Sequence, residues 1–184
     1  VLIALKTPDL VPTALSGPPT GLPSTSITLS WTVANQGTAA CPPPWNDVVF
    51  LSEDDVLGSG DRNLGTFTRN VALGAGESYD KASQLVTLPA VVAGNYFLIL
   101  KTDNSVQQFE ENENNNTRAV AITIQTADLT PTAFSGPMTA AAGKPITVSW
   151  TVANQGTGTA NPPWNDVVFL SLDDQVGTGD QNLG

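Results

Sequence analysis

"SITLSWTV", residues 26–33, decides the fold class of this chain, because apolar and small polar residues alternate along it without a break. Ile27, Leu29, Trp31 and Val33 share one face, and serines and threonines occupy the other. This is the pattern of a half-buried antiparallel strand. A helix would need a hydrophobic period near 3.6 residues, and the period here is two. The segment therefore predicts a β-protein.

Segments of similar character lie on both sides of this stretch, separated by clusters of Gly, Pro, Asn and Asp that are typical of turns. Seven short strands within one domain predict an all-β, two-sheet Greek-key sandwich of the immunoglobulin-like type. Pro12 in the first strand predicts an edge position or a bulge, because proline cannot donate a ladder hydrogen bond. The six further predicted strands cover residues 10–15, 47–52, 65–69, 78–88, 95–101 and 117–125.

The alternation also predicts which side chains enter the core. The segment "YFLIL", residues 96–100, is apolar on both faces. Phe97 and Ile99 are therefore expected to be covered as well, by a neighbouring repeat or chain. The predicted inward-facing side chains are Ile27, Leu29, Trp31, Val33, Val48, Phe50, Tyr96, Leu98 and Leu100.

The sequence repeats itself without a gap at an offset of 119 residues. "SWTVANQGT" begins at Ser30 and again at Ser149, and 38 of the 58 positions aligned with residues 8–65 are identical. A repeat of this length predicts tandem whole domains, since solenoid units are far shorter. The printed chain is then expected to be a window on a longer array.

The predicted domain boundaries follow from this register. "VLIALKT" at the start matches "VAITIQT" at residues 120–126, so residues 1–7 are assigned to the final strand of a preceding repeat. Residues 8–126 form one complete repeat. Residues 127–184 form the first half of the next repeat.

The composition excludes several classes of function. Seventeen acidic and seven basic residues give a net charge of −10, which disfavours nucleic acid and anionic membranes and leaves divalent cations as partners. No apolar run is long enough to span a membrane. Without histidine the usual general base is missing, so we expect no enzymatic activity. Cys41, the single cysteine, excludes a disulfide framework and is either an intermolecular bridge or an ordinary loop residue.

Two acidic clusters are candidate calcium sites. One is the Asp-rich loop, "SEDDVLGSGDRNLG" at residues 52–65, and the other is the segment "EENENNN" at residues 110–116. Calcium takes six to eight hard oxygen ligands in a flexible geometry, although the same residue types also form ordinary turns. The predicted ligands are Asp54, Asp55, Asp61 and Asn63, their second-copy equivalents Asp173, Asp174, Asp180 and Asn182, the hairpin acids Glu110, Glu111 and Glu113, and Asp128.

The expected location of calcium is the junction between successive repeats. If strands alternate up and down, the Asp-rich loop of one repeat should approach the acidic hairpin of the next. Carboxylates held a few ångströms apart repel one another in a partly dry interface. A bound calcium ion would turn that repulsion into a rigid joint.

Several motifs occur together and in order: "DLVPT" at residues 9–13, "WNDVVFLSEDD" at 45–55, "GNYFLILKTD" at 94–103 and "FEENENNN" at 109–116. In this combination the chain resembles the cell-adhesion-related bacterial domain, CARDB. The resemblance implies an immunoglobulin-like sandwich in secreted or surface-attached prokaryotic proteins, often in tandem. It implies no catalytic residues.

Two functional hypotheses remain at this point. The first is a structural or adhesive repeat of an extracellular, surface-attached or filament-forming bacterial protein, with neighbouring repeats, copies of the same chain, or surface glycans and proteins as partners. The alternative is an accessory carbohydrate-binding module of a larger secreted enzyme. In that case Trp45 and Trp164, which follow short proline runs, would be exposed platforms for sugar rings, although large aromatic side chains are mostly buried.

Overall fold

The structure is a computed structural model that describes residues 2–184. Between those residues it contains β-strands and no helix, so the predicted all-β class is confirmed. The chain forms two compact units. The first ends at Ala127 and includes Gly156–Gly158, and the second comprises residues 128–155 and 159–184.

The first unit contains a three-stranded and a five-stranded sheet. The orders are β1-β3-β6 and β2-β8-β7-β4-β5. All pairings are antiparallel except that of β2 with β8, which is parallel. The strands are β1 (Leu10–Ser16), β2 (Thr20–Gly21), β3 (Ser26–Asn35), β4 (Trp45–Ser52), β5 (Arg62–Arg69), β6 (Ser78–Thr87), β7 (Gly94–Lys101) and β8 (Thr117–Ile124).

Strand β1 shows the irregularity that its proline predicts. β1 is an edge strand, and its register against β3 shifts between Pro12 and Ala14. Edge positions and bulges are where a sheet tolerates a residue without an N–H group. The sequence prediction of an edge or a bulge is therefore confirmed, and both features are present.

The parallel pair of β2 and β8 is short but regular. The N–H of Thr123 donates to the carbonyl of Pro19, and the N–H of Gln125 donates to the carbonyl of Gly21, each at 2.9 Å. Gly21 sits close to the core, since an added Cβ would lie 2.5 Å from a methyl group of Leu88. The small residue lets β2 approach the interior here.

The two sheets share one hydrophobic core. Leu29, Trp31 and Val33 of β3 belong to it, as do Leu98 and Leu100 of β7. The ring of Trp31 meets that of Phe67 edge-on, with 5.0 Å between centroids, a favoured arrangement for aromatic pairs. Burying a leucine, valine or phenylalanine side chain contributes about 1.5–3 kcal/mol to the free energy of unfolding. The core residues of β3 and β7 therefore contribute much of the stability of the first unit.

The predicted core face of β4 is wrong. Trp45, Val49 and Leu51 belong to the core cluster, whereas Val48 is buried but lies outside that cluster, and Phe50 is only half-buried. The apolar run "VVFL" carries no alternation, so its period cannot assign a face. The polar Asp47 shares the core face and makes that face look solvent-exposed in the sequence.

Strand β7 has buried or half-buried side chains on both faces, whereas their cover by a neighbouring repeat or chain stays a prediction. Ile99 is buried and Phe97 is half-buried. The direct cross-strand neighbours of Ile99 are Phe50 and Ala119, both within the first unit. Cys41 also differs from expectation. It lies in the core cluster and its backbone forms an isolated β-bridge with Leu73, so it is not an ordinary loop residue.

The start of the first unit is held by backbone hydrogen bonds. The carbonyl of Thr7 accepts N–H bonds from Thr38 and Ala39 at 2.8 and 3.1 Å. Gly37 is needed in this turn, because an added Cβ would lie 2.3 Å from the Thr7 carbonyl oxygen. Residues 2–7, predicted as a final strand, are not in a strand here, and Val1 lies outside the described residues.

The second unit has four strands in two pairs. β9 (Leu129–Ser135) pairs with β10 (Ser149–Asn154) and shifts register beside Pro131, as β1 does beside Pro12. β11 (Phe169–Leu170) pairs with β12 (Gln181–Asn182). The second copy of the repeated sequence thus forms the same local pairings as the first.

Candidate metal site

Three carboxylates come together in the connection between β7 and β8. Asp103 follows the end of β7, while Glu110 and Glu113 lie further along the same connection. One oxygen of each side chain lies within 4.8 Å of the other two. Within residues 2–184 this is the only group of three or more His, Cys, Asp or Glu residues close enough to share a metal ion. We call it the carboxylate cluster.

Asp103 shapes the connection around itself. Its carboxylate accepts the backbone N–H groups of Gln107 and Gln108 at 2.8 and 2.9 Å. Its φ angle is +42°, a left-handed conformation that Asp tolerates better than most residues. The chain therefore folds back over the Asp103 carboxylate and buries it.

Glu110 ties the connection to the beginning of β1. Its Oε1 accepts the N–H of Leu10 at 2.6 Å, and its Oε2 accepts the side-chain amide of Asn116. The N–H of Glu110 in turn donates to Glu113 Oε1 at 3.0 Å. These contacts fix the two glutamates relative to each other and to the sheet.

The electrostatics of the carboxylate cluster are unfavourable for full ionisation. Asp103 and Glu110 are buried, whereas Glu113 is exposed. Burial, together with the charges of Asp103 and Glu113, raises the pKa of Glu110 to about 7, although the hydrogen bonds from Leu10 and Asn116 oppose this rise. The pKa of the Cys41 thiol is raised to about 12, mainly because the thiol is buried and also because of the negative charges of Glu110 and Asp103.

Two amide oxygens at the end of the same connection have no hydrogen-bond donor. They are Oδ1 of Asn115 and Oδ1 of Asn116, and both atoms are buried. The nitrogen of Asn115 donates to Asp9 Oδ1 at 2.9 Å. Buried polar atoms are nearly always paired, so two orphan oxygens in adjacent residues indicate a missing electropositive partner.

A second buried acid, Asp47, is fully engaged by protein donors. Its carboxylate accepts Trp31 Nε1 at 2.9 Å, Tyr79 OH at 2.7 Å and Thr102 Oγ1 at 2.8 Å. Burial raises the pKa of Asp47, and these hydrogen bonds oppose that rise. The donors lie in or beside β3, β6 and β7, so Asp47 joins the two sheets and acts as a structural anchor.

The Asp-rich loop uses its acids to make turns. Asp54 Oδ1 accepts the N–H of Val56 at 2.9 Å, and Asp61 Oδ2 accepts the N–H of Gly58 at 2.8 Å. Asp55 is exposed, and Asn63 donates to Thr66 Oγ1 at 3.4 Å. Asp54, Asp55 and Asp61 do not form a group of three close carboxylates.

The second copy repeats this turn geometry. Asp173 accepts the N–H of Gln175 at 2.9 Å, and Asp180 accepts the N–H of Gly177 at 2.6 Å. Asn182 accepts the N–H of Gly184 at 2.8 Å. The remaining predicted ligands, Asp128, Asp174 and Glu111, are exposed.

The two tryptophans proposed as sugar platforms differ in burial. Trp45 is completely buried and donates through Nε1 to Tyr79 OH at 3.2 Å. It therefore has no face open to a sugar ring, and the platform hypothesis fails at this position. Trp164 in the second unit is 48% exposed.

Sequence reasoning found part of the carboxylate cluster. It selected Glu110 and Glu113 but missed Asp103, Asn115 and Asn116. Asp103 could have been selected from the sequence. It follows the apolar strand "YFLILK" by two residues and must therefore lie near the start of the next turn. The partnership between Asp103 and Glu110 depends on the path of the connection, which no local pattern specifies.

Comparison with solved structures gives several matches. A CARDB domain from Pyrococcus furiosus, crystallised in complex with di-metal ions, shares 20% identity at a TM-score of 0.49, covering 66% of this chain and 97% of that domain. A domain of a candidate cell surface protein from Methanosarcina acetivorans shares 27% identity at a TM-score of 0.49, covering 64% and 92%. A β-glucosidase from Listeria innocua in complex with glucose shares 16% identity at a TM-score of 0.40, covering 65% of this chain and 16% of the enzyme.

The chain was also compared with curated proteins and with protein-family models. No curated protein matches the chain significantly. Within residues 2–184 the structure has no helix of the length and apolar character that crossing a membrane requires. The family model named CARDB matches residues 7–120, which is more than half of the chain and nearly all of the first unit. The resemblance seen in the sequence motifs is thereby confirmed, and the chain belongs to the CARDB family.

Proposed function

We propose that this chain is a structural or adhesive repeat module of a secreted, surface-attached or filament-forming bacterial protein. The observation that carries the proposal is the internal repeat, in which 38 of 58 aligned positions are identical between two successive copies. Successive copies of one domain are the means by which a chain gains length and repeats a contact surface. In this proposal the partners are neighbouring repeats or other copies of the same chain.

The architecture of the first unit supports a mechanical role. Its two sheets share one core, and the buried Asp47 links them through Trp31, Tyr79 and Thr102. We assign the unit to the immunoglobulin-like type, with the two-residue β2 added to seven longer strands. Such a unit suits a spacer in a tandem array, because it presents the same outer surface in every copy.

The proposal includes an absence of catalysis. The chain has no histidine, and the buried Asp47 is occupied by three side-chain donors. The carbohydrate-module alternative is weaker, because Trp45 is buried. Glycan-array binding that survives Trp164→Ala would count against both aromatic platforms, and glycan binding lost in that variant would revive the alternative.

Electron microscopy of the native protein isolated from its source tests the main proposal. Strands of seven to ten residues at about 3.3 Å per residue, with loops at both ends, give a domain roughly 35–45 Å long. We therefore expect rods or fibres with an axial repeat of that order. Compact, monodisperse particles without such a repeat would overturn the filament proposal.

The proposed location is outside the cell or on its surface. Labelling of intact cells with an antibody against the first unit should give a signal that is lost after mild surface proteolysis. A signal that appears only after the cells are permeabilised would contradict the proposed location.

A further inference from the structure

We propose that Asp103, Glu110 and Glu113, together with the side-chain oxygens of Asn115 and Asn116, form a calcium-type cation site within the first unit. This site differs from the predicted junction site, because every ligand comes from one connection in one repeat. The proposal does not depend on the filament role.

The spacing of the carboxylate oxygens fits an ion of this size. Calcium binds oxygen at 2.3–2.6 Å, so two oxygens on opposite sides of the ion can be about 5 Å apart. The three carboxylate oxygens lie within 4.8 Å of one another. Magnesium binds oxygen at 2.0–2.1 Å in a near-ideal octahedron, which allows at most about 4.2 Å between opposite oxygens and tolerates less variation in their positions.

The chemistry of the ligands also selects a hard cation. All five side chains offer oxygen, the chain has no histidine, and the thiol of Cys41 is not among the grouped ligand atoms. The oxygens of Asp103 and Glu110 that accept N–H bonds retain a second lone pair, since an ionised carboxylate has about four acceptor positions. The existing hydrogen bonds therefore orient the ligand side chains and leave acceptor positions on their oxygens for a cation.

An independent observation points to a ligand at this position. Asn116 is 2% exposed, and its Oδ1 has no hydrogen-bond donor. The nitrogen of the same amide donates to Glu110 Oε2, so the orphan oxygen, bonded to the same carbon, also lies beside the carboxylate cluster. When ionised, the carboxylates around it can only accept hydrogen bonds, and a cation would satisfy all of these oxygens together.

Asn115 adds a second orphan oxygen from the adjacent residue. Its Oδ1 is buried without a donor, while its nitrogen is held by Asp9. The donors that the structure gives Glu110 are the Leu10 N–H and the Asn116 amide, and neither of them carries a full positive charge. A divalent cation supplies the positive charge that this buried group of oxygens lacks.

Amide NMR on the full 184-residue chain, titrated with calcium chloride against a sodium chloride control, tests the site directly. The reporters are the N–H groups of Gln107, Gln108, Leu10 and Glu110, because each donates to a proposed ligand. We expect saturable shifts at these amides with a dissociation constant of about 10⁻⁴ to 10⁻³ M, the range of extracellular calcium modules. Shifts that stay linear to about 10 mM, or that match the sodium control, would overturn the proposal.

A matched pair of variants separates specific binding from charge screening. Glu113 and Glu111 are both exposed, and each can be changed to Gln with the same loss of charge. Glu113→Gln should weaken calcium binding at least tenfold, whereas Glu111→Gln should leave it within twofold. Equal effects in the two variants would show that calcium only screens an acidic surface.

Two further arms place the site and identify the ion. Asp61→Asn in the Asp-rich loop should leave the dissociation constant unchanged, and a tenfold loss there would move the site to that loop. Magnesium at equal concentration should bind more weakly than calcium. Equal affinity for the two ions would overturn the calcium-type assignment. If Glu113→Gln does not fold, the titration of the unmodified chain still decides the question.

Discussion

The two copies of the repeated sequence place the same hydrogen bond in different surroundings. Trp31 donates to Asp47, and Trp150 donates to Asp166, each at 2.9 Å. Trp31 is 2% exposed, however, and Trp150 is 44% exposed. The comparison shows that the local sequence sets the bond, whereas its burial comes from strands far away in the chain.

The distant contributions can be named in the first unit. Tyr79 of β6 and Thr102 after β7 both donate to Asp47. The printed sequence has no second-copy equivalents of these residues, since the match to the first copy covers residues 8–65. Local features such as the turns at Asp61 and Asp180 are nonetheless alike in both copies. Short-range geometry thus recurs in both copies, whereas the burial of Trp31 and Asp47 depends on residues that follow position 65 in the first copy.

The largest contrast is expected at the paired tryptophans. Trp45→Ala would leave a cavity in the core of the first unit, at a cost of about 3–5 kcal/mol in the free energy of unfolding. Trp164→Ala should cost far less, because Trp164 is half-exposed. Urea unfolding followed by backbone circular dichroism measures both. Similar losses in the two variants would break the comparison.

A somewhat smaller contrast is expected at the paired aspartates. Asp47→Ala leaves Trp31 and Tyr79 as buried donors without an acceptor, which costs about 2–4 kcal/mol. Asp166→Ala removes only an exposed bond and should change the free energy of unfolding by about 0.5 kcal/mol or less. Denaturant titrations of the two variants test this, with Asp180→Ala as a control for charge loss in an exposed turn.

The pH dependence of stability sharpens the account of Asp47. Its folded-state pKa is raised above 3.8 by burial, so the native state binds the proton more tightly than the unfolded state does. The stabilisation from the protonated form is therefore present below pH 3.8 and is lost as the pH rises through the folded-state pKa. The difference in unfolding free energy between the unmodified chain and Asp47→Asn should then shift in favour of the variant as the pH rises. A difference independent of pH would contradict the shifted pKa.

The smallest effect on the free energy of unfolding is expected for substitution of Cys41. The two copies should instead differ clearly in how fast a thiol at this position reacts. Its thiol is buried and has a pKa of about 12, so a thiol reagent at neutral pH should modify it slowly. The aligned residue of the second copy is Ala160, which is half-buried. Ala160→Cys in a Cys41→Ala background should react about a hundredfold faster. Equal rates in the folded chain, with urea-unfolded protein as the reference, would contradict the difference between the copies.

Much of the fold could be predicted because its strands carry their own signals. The alternation in β3, the turn residues between strands and Pro12 in β1 are all local features, and the all-β class and the irregularity beside Pro12 that they predict are confirmed. The core face of β4 was mispredicted because "VVFL" is apolar throughout, and the buried Asp47 is stabilised by residues distant in sequence. Asp103 was missed for the same reason, since its proximity to Glu110 follows from the path of a connection and not from a motif.

The parallel pairing of β2 with β8 determines how the first unit should respond when its two ends are pulled apart. A pull on the two ends of this unit would draw β2 and β8 in opposite directions along their common axis. The bonds from Thr123 to Pro19 and from Gln125 to Gly21 would then be loaded together in shear, instead of being unzipped one after the other. Bonds that must break at the same moment resist a higher tension, so the unit would withstand stretching up to a threshold and then yield abruptly.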